Sequence, residues 1–202
     1  WSSDVCSSDL SGAQVVVVDR SQSEATRERA SILEILGARV VLGDDTTLPS
    51  GVELLVVSPG VAPNAPIITA AVAQGIPVWG ELELAWQLRR DNAPWLVITG
   101  TNGKTTATLM LESILVSSGR RSIAAGNIGR SLVEVIMDPQ PWDAIAVEVG
   151  APQLPFVHTM SPQASVCINL APDHIDLFGS FDAYRDAKAR IYERTQVAAI
   201  FN

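Results

Sequence analysis

Cysteine is scarce: only Cys6 and Cys167 occur in 202 residues, too few for the disulfide framework of a small secreted domain. Cys167 lies inside the apolar run "ASVCIN", where a buried, reduced thiol is expected, and a cytoplasmic location fits. No stretch approaches the ~20 uninterrupted apolar residues of a membrane-spanning helix, so no membrane partner is expected. Lys and Arg gather on no one segment and the net charge is −8, which argues against a grip on a nucleic-acid backbone. A small anion held locally is compatible with both facts. The opening "WSSDVCSSDL" has neither the basic start nor the apolar centre of a signal peptide. Serine and aspartate dominate these ten residues and vanish as "AQVVVVD" begins, so residues 1–10 read as foreign to the fold.

Core material is plentiful, with 47% of residues hydrophobic, and the length exceeds the usual domain of about 100 to 150 residues. Short β-branched runs such as "QVVVVD", "ARVVLG" and "ELLVVS" alternate with helical-period segments such as "SEATRERASILEILG" and "APIITAAVAQG". That rhythm predicts a parallel α/β sheet. Gly37 and Gly75 are placed to close two helices in the left-handed conformation. A helix "GELELAWQLRRDN" follows, and "APWLVITG" opens a second α/β series that runs to "VAAIF". Proline after a charged helix sets the expected boundary near Asn92–Pro94, giving an incomplete Rossmann-like domain over 11–93 and part of a P-loop-type α/β domain over 94–202.

The chemistry concentrates in "GTNGKTT", Gly100 to Thr106, directly behind the strand "WLVIT". A glycine-rich turn that opens a helix aims several backbone N–H groups at an anion, assisted by the positive end of the helix dipole. Lys104 can reach β- and γ-phosphates and the Thr105 hydroxyl can ligate Mg²⁺. The loop is compressed relative to G-x-x-x-x-G-K-[ST]: Ile98 stands where the earlier glycine would fall. Glu148, ending "AIAVE", reads either as a carboxylate facing the crevice at the sheet edge, where Mg²⁺ would find an oxygen, or as a strand terminus in solvent. His174, in "PDHID", stands between Asp173 and Asp176 after another strand, a pattern that favours a metal or phosphate contact. His158 has no such company and reads as an ordinary histidine. Lys188 shares a helix with the apolar positions Ala183, Tyr184, Ala187 and Ile191, and composition alone makes it a solvated lysine. Asp19 and Arg20 end the first strand and would suit a ribose or base contact, although no G-x-G-x-x-G turn precedes them.

Together "TGTNGKTT", "GNIG" (126–129), the glutamate of "EVGAPQL", "PDHID" and "YRDAKARIY" resemble the Mur ligases of bacterial cell-wall synthesis. "GNIG", "SPGV", "GELEL" and the "QL" of "APQL" resemble the D-glutamate-adding branch of that family. The resemblance runs from about Ala13 to the last residue. It implies ATP-dependent amide formation, in which the carboxylate of UDP-N-acetylmuramoyl-L-alanine takes the γ-phosphoryl group and the amine of D-glutamate attacks the acyl phosphate.

Carried onto this chain, the resemblance implies that Gly100, Thr101, Asn102, Gly103, Lys104, Thr105 and Thr106 bind ATP. Thr105 and Glu148 would hold one Mg²⁺ and His174 a second. Lys188 matches a lysine that becomes carbamylated, an anionic metal ligand. Asn127 and Gln153 match positions near the muramyl substrate and phosphates, and Asp19, Arg20, Ser58, Pro59 and Gly60 would receive the uridine diphosphate. A monomer is expected. The family pattern E-x-S-S-F-Q-L is altered here, with Gly150 and Ala151 for the serines and Pro152 for the aromatic. The first glycine-rich turn and a third domain are missing from the resemblance, so no ligase turnover is expected of these 202 residues. Two other readings stand beside it: a non-catalytic ATP-binding fragment, and a Mur-type ligase for another amino acid or a folate-like substrate.

Overall fold

Local chemistry starts and stops each element of the computed structural model, which describes residues 12–90 and 92–201. The first ten residues, with Cys6, lie outside that range. Strand β1 (Val16–Asp19) pairs in parallel with β2 (Arg39–Leu42) across helix α1 (Glu24–Ile35). Ser23 starts that helix by accepting from Thr26 N at 3.2 Å, the expected use of an N-cap hydroxyl. Strand β3 (Leu55–Val57), helix α2 (Pro66–Ala73) and strand β4 (Val78–Gly80) follow, with β3 and β4 paired. Proline opens α2 at its first turn, where its missing N–H costs nothing.

Among the described residues, those up to Val57 and Pro63–Val78 form one compact unit; Ser58–Ala62 and those from Trp79 onward form another. Helix α3 (Glu81–Leu88) therefore packs with the second unit, although the sequence boundary near Asn92–Pro94 places it with the first. Its Leu82, Leu84 and Ala85 join Trp95, Val97 and Leu132 in one core. The helix also ends earlier than the expected "GELELAWQLRRDN", because Arg89 turns to an extended conformation.

Glu83 explains part of that docking. It is 0% exposed, and its carboxylate accepts from the backbone N–H groups of His158 at 2.8 Å and Thr159 at 2.9 Å, from Gln87 at 3.0 Å, and from the Thr159 hydroxyl. Burial alone would push this carboxyl up, yet the donors of Thr159, His158 and Gln87 outweigh it and hold it down to about 2.

The second unit carries a parallel sheet built from β5 (Trp95–Thr99), β6 (Ser122–Gly126), β7 (Ala144–Glu148), β8 (Ala164–Cys167) and β9 (Ala198–Phe201), in the order β6-β7-β5-β8-β9. Helix α4 (Lys104–Ser117) leads from β5 to β6 on one side, whereas β8 leads to β9 on the other. Connections thus reverse direction about β5, and ligand crevices of open α/β sheets form at such a reversal, outside the carboxyl ends of the strands. Helices α5 (Leu132–Ile136), α6 (Ile175–Phe178) and α7 (Phe181–Ala189) complete the unit. Among the described residues no helix is long and apolar enough to cross a membrane.

Candidate functional site

Register fixes the site's geometry. Ile98 of β5 aligns with Glu148 of β7, which aligns in turn with Gly126 of β6, while Thr99 aligns with Cys167 of β8. The turn after β5 therefore opens between the ends of β7 and β8. Gly103 caps α4 with φ 77°, a left-handed conformation that is costly for other residues. Gly100 has no room for a side chain, since a Cβ there would stand 2.6 Å from Ile168 Cγ1.

Glu148 is 2% exposed, so its strand terminus is buried and the solvent alternative falls. Its carboxylate accepts from the Thr105 hydroxyl at 2.8 Å and from Asn127 Nδ2 at 2.9 Å. Asn127 also donates its backbone N–H to Glu148 O at 2.9 Å. That double contact requires Gly126, at φ 101°, where a Cβ would lie 2.4 Å from Glu148 O. Gln153 Oε1 accepts from Gly150 N at 2.8 Å, and a Cβ on Gly150 would stand 3.4 Å from that oxygen and 3.6 Å from Asn127 Oδ1. The altered position Gly150 thus sits against both of the residues matched to the muramyl substrate, Gln153 and Asn127. Glu81, from the same "GELEL" as Glu83, accepts from Leu132 N at 2.9 Å and so anchors the helix that follows "GNIG".

Lys188 corrects the composition-based reading of a solvated lysine. It is 2% exposed, because it lies one turn beyond the fully buried Tyr184 on the inward face of α7. Its Nζ donates to Gly100 O at 2.8 Å and stands 4.9 Å from the Tyr184 ring centroid. Burial first, and then the neighbouring charge of Lys104, lower its amine to about 8. Lys104 itself folds back on the loop, its Nζ donating to Thr101 O at 3.0 Å.

His174 starts α6 in a left-handed conformation, φ 50°, and is half exposed, with Nε2 3.6 Å from Asp173 Oδ2 and its ring 6.4 Å from that of Tyr184. Among the described residues no group of three or more His, Cys, Asp and Glu side chains converges as a ready metal site. The donors at Glu148 and Thr105 are nevertheless the hard oxygens that Mg²⁺ takes, usually with waters and substrate phosphates completing its shell.

In the first unit, Asp19 accepts from Ser21 N at 2.7 Å, and Arg20 is exposed beside it. In the second unit, Ser58, Pro59 and Gly60 form a turn closed by Val61 N donating to Ser58 O at 3.0 Å. One residue that sequence reasoning passed over is Asn169, whose side chain is bonded to the backbone of the Gly100–Thr106 turn. Its signal was position alone, at the end of "ASVCIN" beside the loop.

The Mur ligase middle domain matches residues 98–202. UDP-N-acetylmuramoylalanine–D-glutamate ligase of Streptomyces coelicolor is 49% identical over 195 residues, covering 95% of this chain and 41% of that protein. The enzyme of the same name from Thermobifida fusca is 47% identical over 183 residues, covering 90% of this chain and 39% of its own length. The chain thus spans about two fifths of the length of these relatives. Two solved structures share the fold: the UDP-N-acetylmuramate:L-alanyl-gamma-D-glutamyl-meso-diaminopimelate ligase of Neisseria meningitidis (TM-score 0.58, 18% identity, covering 98% of this chain and 66% of that one), and the UDP-N-acetylmuramate–alanine ligase of Thermotoga maritima (TM-score 0.52, 20% identity, covering 98% and 45%). With its compressed loop, its buried Glu148 and a match over more than half its length, this chain belongs to the Mur ligase family.

Proposed function

We propose that the chain is part of an ATP-dependent ligase that joins D-glutamate to UDP-N-acetylmuramoyl-L-alanine through an acyl phosphate. The observation that carries this reading is the Thr105–Glu148–Asn127 cluster at the carboxyl end of the sheet, in a chain 49% identical to a ligase of that name. Lys104 would leave Thr101 O to hold the β- and γ-phosphates, and the first turn of α4 would add its amides and dipole. Thr105 and Glu148 would hold Mg²⁺, which when bound supplies positive charge against the triphosphate.

Asn127 and Gln153 would orient the muramyl carboxylate toward the γ-phosphoryl group. That carboxylate takes the phosphoryl group, and the incoming amine then displaces phosphate to form the amide. Lys188 is suited to carbamylation because only a neutral amine attacks CO₂, and burial has already lowered its basicity. His174 would face the same reaction from the β8 side. Asp19, Arg20 and the Ser58–Gly60 turn would receive the uridine diphosphate.

A chimera tests the proposal. Residues 13–202 replace the matching segment of the Streptomyces coelicolor relative, and phosphate release is measured with each amino acid in turn. We expect release that requires both D-glutamate and the muramoyl-alanine substrate. A folded chimera that uses a different amino acid would sink the assignment. The 202 residues alone are expected to bind a nucleotide without turnover, and D-glutamate-dependent phosphate release by them would contradict that.

A further inference from the structure

Hydrogen bonding divides the amides of the loop into two sets. Asn169 Oδ1 accepts from the backbone N–H of Thr101 at 3.1 Å and of Asn102 at 2.9 Å, while Asn169 Nδ2 donates to Asn102 O at 2.8 Å. Only one orientation of the side-chain amide satisfies all three, since its oxygen must face the two N–H groups and its nitrogen the carbonyl. The backbone oxygen of Asn169 shares the Thr101 N–H at 3.2 Å. Thr101 is further anchored through its hydroxyl, which accepts from Ala171 N at 2.9 Å and lies 3.0 Å from the Tyr184 hydroxyl.

The second set is different. Ala107 is the first residue of α4 to bond back within the helix, to Gly103 O at 3.0 Å. The N–H groups of Gly103, Lys104, Thr105 and Thr106 are the four that a helix start leaves open.

We infer that Asn169 is a positioning residue that holds the entry half of the loop, so that a nucleotide phosphate is cradled by the amides of 103–106 and not by those of 101–102. The inference rests on the phosphate-loop reading given above. An amide already donating to a protein oxygen can bond a phosphate only by surrendering that partner. The shortened glycine spacing makes the device necessary. A longer loop has residues enough to wrap an anion by itself, whereas this one lies against Ile168 and borrows its acceptor from the end of the neighbouring strand. The cradle is then set before nucleotide arrives, which lowers the ordering cost of binding.

Backbone amide NMR of the chain, titrated with Mg²⁺ and a non-hydrolysable ATP analogue, tests this. In the free chain the Thr101 and Asn102 amide protons should resist solvent exchange. On titration they should move little, while those of Gly103–Thr106 move most. Asn169→Ala should strip that protection and weaken analogue binding about tenfold, the net worth of one or two hydrogen bonds. Asn169→Asp, which keeps the acceptor oxygen, should restore protection of both amides, a rescue that general unfolding would not give.

Should Asn169→Ala fail to fold, the wild-type titration still decides. Shifts as large at Thr101 and Asn102 as at 103–106 would overturn the inference and leave the phosphate loop standing, as would unchanged affinity in a folded Asn169→Ala. No shift at any of these amides would overturn both.

Discussion

Two turns of this molecule occupy equivalent places, each following the first strand of a parallel α/β series, and they are built in opposite ways. The turn after β1 is held by its own neighbours: Asp19 accepts from Ser21 N two residues on, and Ser23 accepts from Thr26 N three residues on. Every group in it is exposed apart from partly covered Asp19 and Thr26. The turn after β5 is held from a distance, by Asn169, Lys188, Glu148 and Tyr184. A locally built turn can rearrange without disturbing the rest of the fold, whereas a turn bonded to three other segments is fixed as long as the sheet is. The second design suits the proposed phosphoryl transfer, because donors aimed in advance cost no reorganisation when charge develops.

That contrast can be broken at several points. The largest effect is expected from Gly126→Ala, which drives a Cβ to 2.4 Å from Glu148 O at a left-handed φ of 101°. It should cost on the order of 1–3 kcal/mol, read as a lower denaturation midpoint at unchanged slope. A midpoint within error of wild type would mean that the Gly126–Glu148 approach is not required.

A pH titration of stability probes the buried lysine next. Lys188 has its amine lowered from 10.5 to about 8, so between those values the unfolded chain binds a proton that the folded chain does not. Stability from this group therefore rises with pH across about 8 to 10.5, and the gain is lost as pH falls back from about 10.5 to about 8, a contribution of up to about 3 kcal/mol for the full shift. Lys188→Met should abolish the rise, and an identical rise in that variant would assign it elsewhere.

The smallest effect belongs to the other turn. Asp19→Ala removes only a local bond to Ser21 N and should change stability by no more than about 0.5 kcal/mol, while weakening the binding of uridine diphosphate in a titration. A large stability loss would show that the β1 turn is not the self-contained structure described.

The same contrast explains what could be read from the sequence. Alternation of β-branched and helical-period segments was enough for the parallel α/β architecture, and the left-handed caps at Gly37 and Gly75 are there, with φ of 95° and 70°. The strand–loop–helix at Gly100–Thr106 was legible because its pattern is contiguous. Composition misreads Lys188 because a lysine is by default solvated, although its place four residues after Tyr184 puts it on the inward face of α7; its partner, the Gly100 carbonyl, lies 88 residues away, where no helical period reports it. Asn169 went unnoticed for the same reason, with Asn102 lying 67 residues from it. Chain order groups helix α3 with the preceding segments, whereas its buried Leu82 and Glu83 find their partners in the second unit.

The most direct measurement is calorimetric titration of the chain with Mg²⁺ and a non-hydrolysable ATP analogue, beside Lys104→Ala. A preformed cradle predicts binding by the wild type that weakens about tenfold to hundredfold in the variant, the worth of a hydrogen bond from a charged donor. Equal affinities, or no binding by a folded wild-type chain, would contradict it.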